Sequence, residues 1–264
     1  MKNRSLINAI QAEFLKIIYS KSTQLALITT CVFQPLLAYF SSRQILTVGL
    51  DGTPDSNPEL LEAIPPIEYM GFDAVLLGIL AMIILASVLG SLEYKNNSLR
   101  TSLLLYPNKI TFFHIKILTH LCFFLLISTL SIYLSIAASQ LALGSSGLNP
   151  IFLNERTWQL IMFAVISWTL LAELSYILAF YAKSAIPVLL FLIPQLYNLG
   201  SFLAERFLIA RLLPVSLATN LIASSPIQLA HTPVITVFFL TCWVLVMGLL
   251  TYHQFVNSDL KEMK

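Results

Sequence analysis

Residues 72–116 read FDAVLLGILAMIILASVLGSLEYKNNSLRTSLLLYPNKITFFHIK. The stretch from Phe72 to Leu92 carries a single charge, Asp73, near its start. A hydrocarbon core about 30 Å thick takes about 20 helical residues to cross. Hydrocarbon offers the backbone no other partners, so such a run has to be a helix. The next residues differ in kind. From Glu93 to Arg100 the chain is polar and charged, from Leu103 to Leu105 it is apolar, and Pro107 then interrupts it. Asn97 or Ser98 is placed to cap a short helix through Leu105. Asn108 is placed to cap the next helix, which leads into another apolar run. A span, a short interfacial helix and a second span therefore stand in order.

Outward from this stretch the same pattern fills the chain. Six apolar runs are long enough to cross a bilayer: Thr23–Ser42, Phe72–Leu92, Ile115–Leu143, Trp158–Ala182, Ala185–Ala204 and Val234–His253. The third is long enough to tilt or to project beyond the bilayer. Of the 264 residues 57% are hydrophobic and 11% charged, against about 25% charged in an ordinary soluble domain. Mean hydropathy is +0.81. This excludes a water-soluble enzyme, a disordered chain and a nucleic-acid-binding protein, and defines an all-α integral membrane protein. No cleavable signal peptide is expected, because the first apolar run follows an amphipathic stretch and lacks a small-residue cleavage site. Cys31, Cys122 and Cys242 lie far apart inside apolar runs and read as packing residues.

Basic residues orient the spans. Lys2, Arg4, Lys16, Lys21, Lys95, Arg100, Lys109, Lys116, Lys183, Lys261 and Lys264 fall on one side, 11 of the 15; Arg43, Arg156, Arg206 and Arg211 fall on the other. The first side is expected to be cytoplasmic, with both termini there. The acids Asp51, Asp55, Glu59, Glu62, Glu68, Asp73, Glu155 and Glu205 crowd the opposite side.

The segments between spans are informative. In residues 5–22, Leu6, Ile7, Ile10, Phe14, Ile17 and Ile18 fall within an arc of roughly 120°, and Asn8, Gln11, Lys16 and Tyr19 lie away from it. This predicts an amphipathic helix on the inner membrane surface. Periodicity leaves open whether it is an anchor for the first span or a docking surface. Residues 43–71 form an acidic outer loop in which Ser56-Asn57-Pro58-Glu59 has capping-box spacing, predicting a short helix from Asn57 to about Ala63. The start of the 93–105 segment, with Glu93, Lys95 and Arg100, is expected to face solvent; it either covers the membrane edge or meets another protein. Only Lys183-Ser184 separates the fourth and fifth runs, which predicts a tight antiparallel hairpin. The fifth carries Pro187 and Pro194, with a kink expected at Pro194. Residues 205–232 are amphipathic and broken by Pro214 and Pro226, with apolar stretches too short to cross.

Glu173 is the one acid deep in a span, about 15 Å from Lys183 at 1.5 Å per residue. An acid there has to be neutralised, paired or turned to a polar cavity. It reads equally as a substrate contact or gate and as a carboxyl hydrogen-bonded between helices. Catalytic signatures are missing: the chain has no H-E-x-x-H, no G-x-S-x-G and no G-x-x-x-x-G-K-[ST] phosphate loop. Small-residue spacings such as Gly78 to Ala81 and Ala86 to Gly90 suit helix packing.

Taken in order, these features resemble ABC-2 type transporter permeases, particularly the small bacterial exporters of antimicrobial peptides and drugs, over nearly the whole chain. Ala12-Glu13-Phe14-Leu15-Lys16 is similar to that family's connecting helix. Glu93-Tyr94, then Leu99-Arg100-Thr101-Ser102-Leu103-Leu104, Pro107 and Lys109 resemble its loop after the second span. Asn97 stands where the family often has Gly, and Asn also tolerates the left-handed conformation. The hairpin between the fourth and fifth runs and the outer segment at 205–232, re-entrant in the family, match as well. The resemblance implies a six-span permease in the bacterial cytoplasmic membrane, organised as a connecting helix at 1–22, a transmembrane domain at 23–253 and a cytoplasmic tail at 254–264. It implies a coupling helix near 93–105, a separate cytoplasmic ABC ATPase that holds ATP and Mg, and a second permease copy or a similar permease. This chain would bind no cofactor and no metal. Glu13, Phe14, Lys16, Glu93, Tyr94, Lys95, Asn97, Leu99 and Arg100 would serve ATPase docking. Pro194, Gln195 and Asn198, with Glu173, are the substrate-path candidates, for an amphipathic peptide or hydrophobic small molecule. The alternative is a non-transport immunity or sensor protein that binds a ligand at its outer surface.

Overall fold

A computed structural model describes residues 2–58, 60, 62–95, 98–105, 108–222 and 233–258. Helix α1 is Lys2–Ile18. Helices α2 (Lys21–Ile28) and α3 (Gln34–Val48) are joined by a wide, π-helical turn at Thr29–Phe33. Then come α4 (Phe72–Leu92), α5 (Ser98–Leu105), α6 (Lys109–Leu143) and α7 (Glu155–Ala182). Helices α8 (Ile186–Pro194) and α9 (Gly200–Arg206) flank a second wide turn at Gln195–Leu199. Helices α10 (Pro214–Leu221) and α11 (Pro233–Asn257) complete the order. No strand occurs among the described residues.

Among the described residues five helical stretches are long and apolar enough to cross a membrane: Lys21–Val48, Ile67–Leu92, Lys109–Ser146, Glu155–Ala182 and Pro233–Asn257. The fifth apolar run of the sequence is instead two short helices about the wide turn that follows Pro194. The first span has its own wide turn just ahead of Pro35. Proline lacks an N–H and its ring crowds the carbonyl four residues back, and wide turns absorb that crowding.

Local chemistry sets the helix ends. Asn108 accepts hydrogen bonds from the Ile110 and Thr111 amides at the start of α6. Asn154 does the same for Thr157 at the start of α7. Gly71, with φ +89°, precedes α4, and a Cβ there would lie 2.8 Å from that of Ser139. At the end of α7, Lys183 takes the left-handed conformation, φ 56°, and turns the chain directly into α8. The predicted helix from Asn57 to Ala63 is not formed among its described residues, and Glu59 lies outside them. The Ser56 hydroxyl is used in a turn with the Thr53 amide, 2.9 Å, so it does not cap a helix ahead.

Helix α7 is the central post, in contact with α4, α6, α8, α10 and α11. Small residues let α4 approach it: a Cβ on Gly90 would meet the Tyr176 carbonyl and the Ala179 side chain, and one on Gly78 would meet Trp168. Polar pairs hold α3 to α6: Ser42 to Ser139 at 2.6 Å, Gln34 Nε2 to Ser135 at 2.8 Å, and Ser131 Oγ to the Thr30 carbonyl at 2.7 Å. In lipid, close approach and interhelical hydrogen bonds take over from the hydrophobic drive that packs soluble helices.

Candidate functional site

The densest chemistry lies where α1, α4, α5 and α6 meet at one end of the bundle. Glu93 directly follows α4 and its carbonyl accepts the Leu99 amide at 2.9 Å, tying the start of α5 back to α4. Its carboxylate receives Lys16 of α1 at 3.0 and 3.1 Å and Lys116 of α6 at 2.8 Å. Lys116 also reaches Glu13 of α1 at 2.6 Å, and Lys16 donates to Ser98 of α5 at 2.9 Å. The Lys116 and Glu93 side chains are 2% and 3% exposed, while Lys16 is 39% exposed. Two glutamates and two lysines thus form a neutral, mostly buried cluster that joins four segments.

A charge that deep in the fold is tolerated only when it is compensated. Burial alone would raise the Glu93 carboxyl; Lys116 and Lys16 outweigh it and hold it at about 2. Lys116 also lies over the Phe112 ring, 5.0 Å from its centroid. Beyond it, His120 Nδ1 meets the Lys116 carbonyl at 2.8 Å, and the His120 ring stacks on Tyr176 of α7 at 3.9 Å. Tyr94 packs on Phe180 at 5.2 Å. Burial, and after it the Glu93 carboxylate, pushes the Tyr94 hydroxyl above its ordinary range.

This cluster departs from the sequence pattern at several residues. Glu93 does not face solvent; the two lysines draw it inward. Leu99 is buried as well. The inner face of α1 is also shifted. Ala9 and Ile17 are buried and Phe14 meets Phe123 edge-on at 5.9 Å, but Ile7 points outward along with Leu15. The face is centred on Ala9, Glu13 and Ile17 because Glu13 is bound to Lys116, and apolar periodicity takes no account of an ion pair. Lys95 is exposed, Arg100 half-buried, and Asn97 lies outside the described residues. On the outward side stand Leu15 of α1, Tyr19 just after that helix and Leu104 of α5, the last 85% exposed.

Lys116 was not among the expected site residues. It counts as an edge charge in the sequence, yet it sits two turns inside α6. A lysine that far into an apolar helix was the signal that could have found it, since such a group needs a partner.

The substrate-path candidates are not gathered into one site. Pro194 ends α8, and Gln195 is buried in the following turn, its amide donating to the Phe191 carbonyl at 2.8 Å. The Asn198 side chain lies outside the described set. Glu173 is fully buried on α7 with neither carboxyl oxygen hydrogen-bonded among the described residues. It precedes Tyr176 and Ile177 by one turn, and these face His120 of α6 and Gly248 of α11.

The outer segment at 205–232 is described to Ile222. It contains a 3₁₀ turn at Leu208–Leu212 and α10, whose Ala218 carbonyl accepts Ser167 of α7 at 2.8 Å. Residues 223–232, and 259–264 of the tail, lie outside the described set.

Together these features define a multi-span helical membrane protein with two short helices locked to one end of its bundle, the class to which the membrane subunits of transporters belong. Residues 9–198 match the family model described as ABC-2 family transporter protein, more than half of the chain, and the chain belongs to that family. No curated protein and no solved structure matches it.

Proposed function

We propose that this chain is the permease subunit of an ATP-driven exporter. In this reading it has six spans, the fifth being the α8–α9 pair, and both termini lie on the cytoplasmic side. A separate ABC ATPase supplies ATP and Mg, and the permease works beside a second copy or a similar chain. The observation that carries the reading is the fixing of α1 and α5 at one end of the bundle, each with an outward face left open. The docking face is then Leu15 of α1 and Tyr19 just after it, with Lys95 ahead of α5 and Leu104 within it. Glu13, Lys16, Glu93 and Leu99 support that face from behind. The turn at Gln195–Leu199 is the substrate-path element, because a wide turn beside a proline supplies both a bend and a polar side chain within a span. The cargo is an amphipathic peptide or hydrophobic compound.

Co-expression with a candidate ABC ATPase tests the reading. The two are expected to purify together, and Leu15→Asp combined with Leu104→Asp is expected to abolish the association while the permease stays monodisperse. A chain that confers resistance with no ATPase present would favour the non-transport immunity or sensor function.

A further inference from the structure

Lys116 lies two turns inside a helix of 35 residues, roughly 50 Å long at 1.5 Å per residue. Its ammonium is enclosed by Glu13 of α1 and by Glu93 at the end of α4. Lys16 doubles the connection by reaching both Glu93 and Ser98 at the start of α5. Four segments therefore meet at one neutral group of charges, and from it α4 and α6 both run on through the membrane. Apolar side chains would attach α1 to the bundle about as firmly, since well-packed hydrophobic replacements of buried ion groups are commonly neutral or stabilising. They would also let it slide. Charges at 2.6–2.8 Å give no such freedom, because parting one pair leaves an uncompensated ion in a low dielectric.

We propose that Lys116 is the positioning residue of coupling: it makes α1, the end of α4, the start of α5 and α6 travel as one body, so that motion imposed on α1 and α5 reaches the far half of α6. This rests on the permease reading, in which a docked ATPase imposes that motion. The His120–Tyr176 stack beside the cluster is one place where the moving body bears on α7.

Spin-label pairs read the motion directly in the assembled complex with its ATPase in lipid nanodiscs. Cys31, Cys122 and Cys242 are first replaced by Ser. The exposed positions Ile7, Leu118 and Leu190, all outside the docking face, then carry the labels as Cys substitutions. Between the nucleotide-free and ATP–vanadate states, the Ile7–Leu118 distance is expected to hold while the Leu118–Leu190 distance shifts. In Glu13→Leu/Glu93→Leu/Lys116→Met, which leaves no unpaired buried charge, the first distance is expected to change and the second shift to be lost. A purely structural role would leave the nucleotide-linked shift unchanged in that variant, and this result overturns the proposal. So does a nucleotide-linked change across Ile7–Leu118 in the wild type, or a constant Leu118–Leu190 distance; both are read without relying on the variant's folding. Failure of the wild-type chain to hold its ATPase would sink the permease reading instead, before any distance is measured.

Discussion

Glu93 stays ionised in the interior because two lysines face it, and the energetics are asymmetric. Glu93→Gln leaves Lys116 with Glu13 alone, so a loss of about 3–5 kcal/mol is expected, the range for breaking a buried pair, read as a fall in melting temperature in detergent. Lys16→Met removes a cation that is 39% exposed, and exposed pairs contribute about 0–1 kcal/mol, so its melting temperature should barely move. Acid acts on the same group. The folded carboxyl titrates at about 2 against 4.5 for the free group, so the folded state takes up this proton less readily than the unfolded chain. Its contribution to stability is complete above pH 4.5 and is lost as pH falls toward 2. Melting curves of wild type and Glu93→Gln are therefore expected to converge across that window and to stay parallel above it.

At the scale of helices, the sequence was legible wherever a boundary is local. Helix α4 runs over the residues its apolar run marked, and α6 begins just after its cap Asn108, because a change of composition or a capping side chain sits next to the backbone it governs. Asn108→Ala is accordingly expected to cost about 0.5–2 kcal/mol, the usual worth of an N-cap, measurable by thermal melting. The inner face of α1 was not legible in this way. The partner that turns Glu13 inward lies 103 positions along the chain, and no period within α1 encodes it. Nor was the bend ahead of Pro35 legible, since the residues around it are as apolar as those of a straight span. The contact of α4 with α7 was foreshadowed only as a small-residue spacing. Gly90→Ala would bring a Cβ to 2.9 Å from that of Ala179 and onto the Tyr176 carbonyl. Backbone cannot yield as a flexible side chain does, so a loss of about 1–3 kcal/mol is expected, as for overpacking. Gly248, likewise within a helix and with only Ile177 near its Cβ position at 3.9 Å, lacks that clash and separates packing cost from general damage to the fold.

For the molecule as a whole, the decisive asymmetry is charge. Of the 15 basic residues, 11 fall on the side of α1 and α5, while Asp51, Asp55, Glu62, Glu68, Asp73 and Glu155 gather on the other. Positive charge resists translocation, so this bias predicts that the end of the bundle at α1 and α5 stays inside, the end an ATP-fuelled partner has to meet in the proposed permease. In that proposal the ion cluster receives motion and the wide turns yield to it. Both tasks depend on the orientation of the spans, which is directly measurable. In a chain freed of its native cysteines, Lys95→Cys and Asp55→Cys, both exposed, are expected to label from opposite sides. A membrane-impermeant thiol reagent on intact cells should modify Asp55→Cys and spare Lys95→Cys, and permeabilisation should expose both. The reverse pattern would put α1 and α5 outside, where no ATPase could reach them, and the coupling role of the Lys116 cluster would go with it.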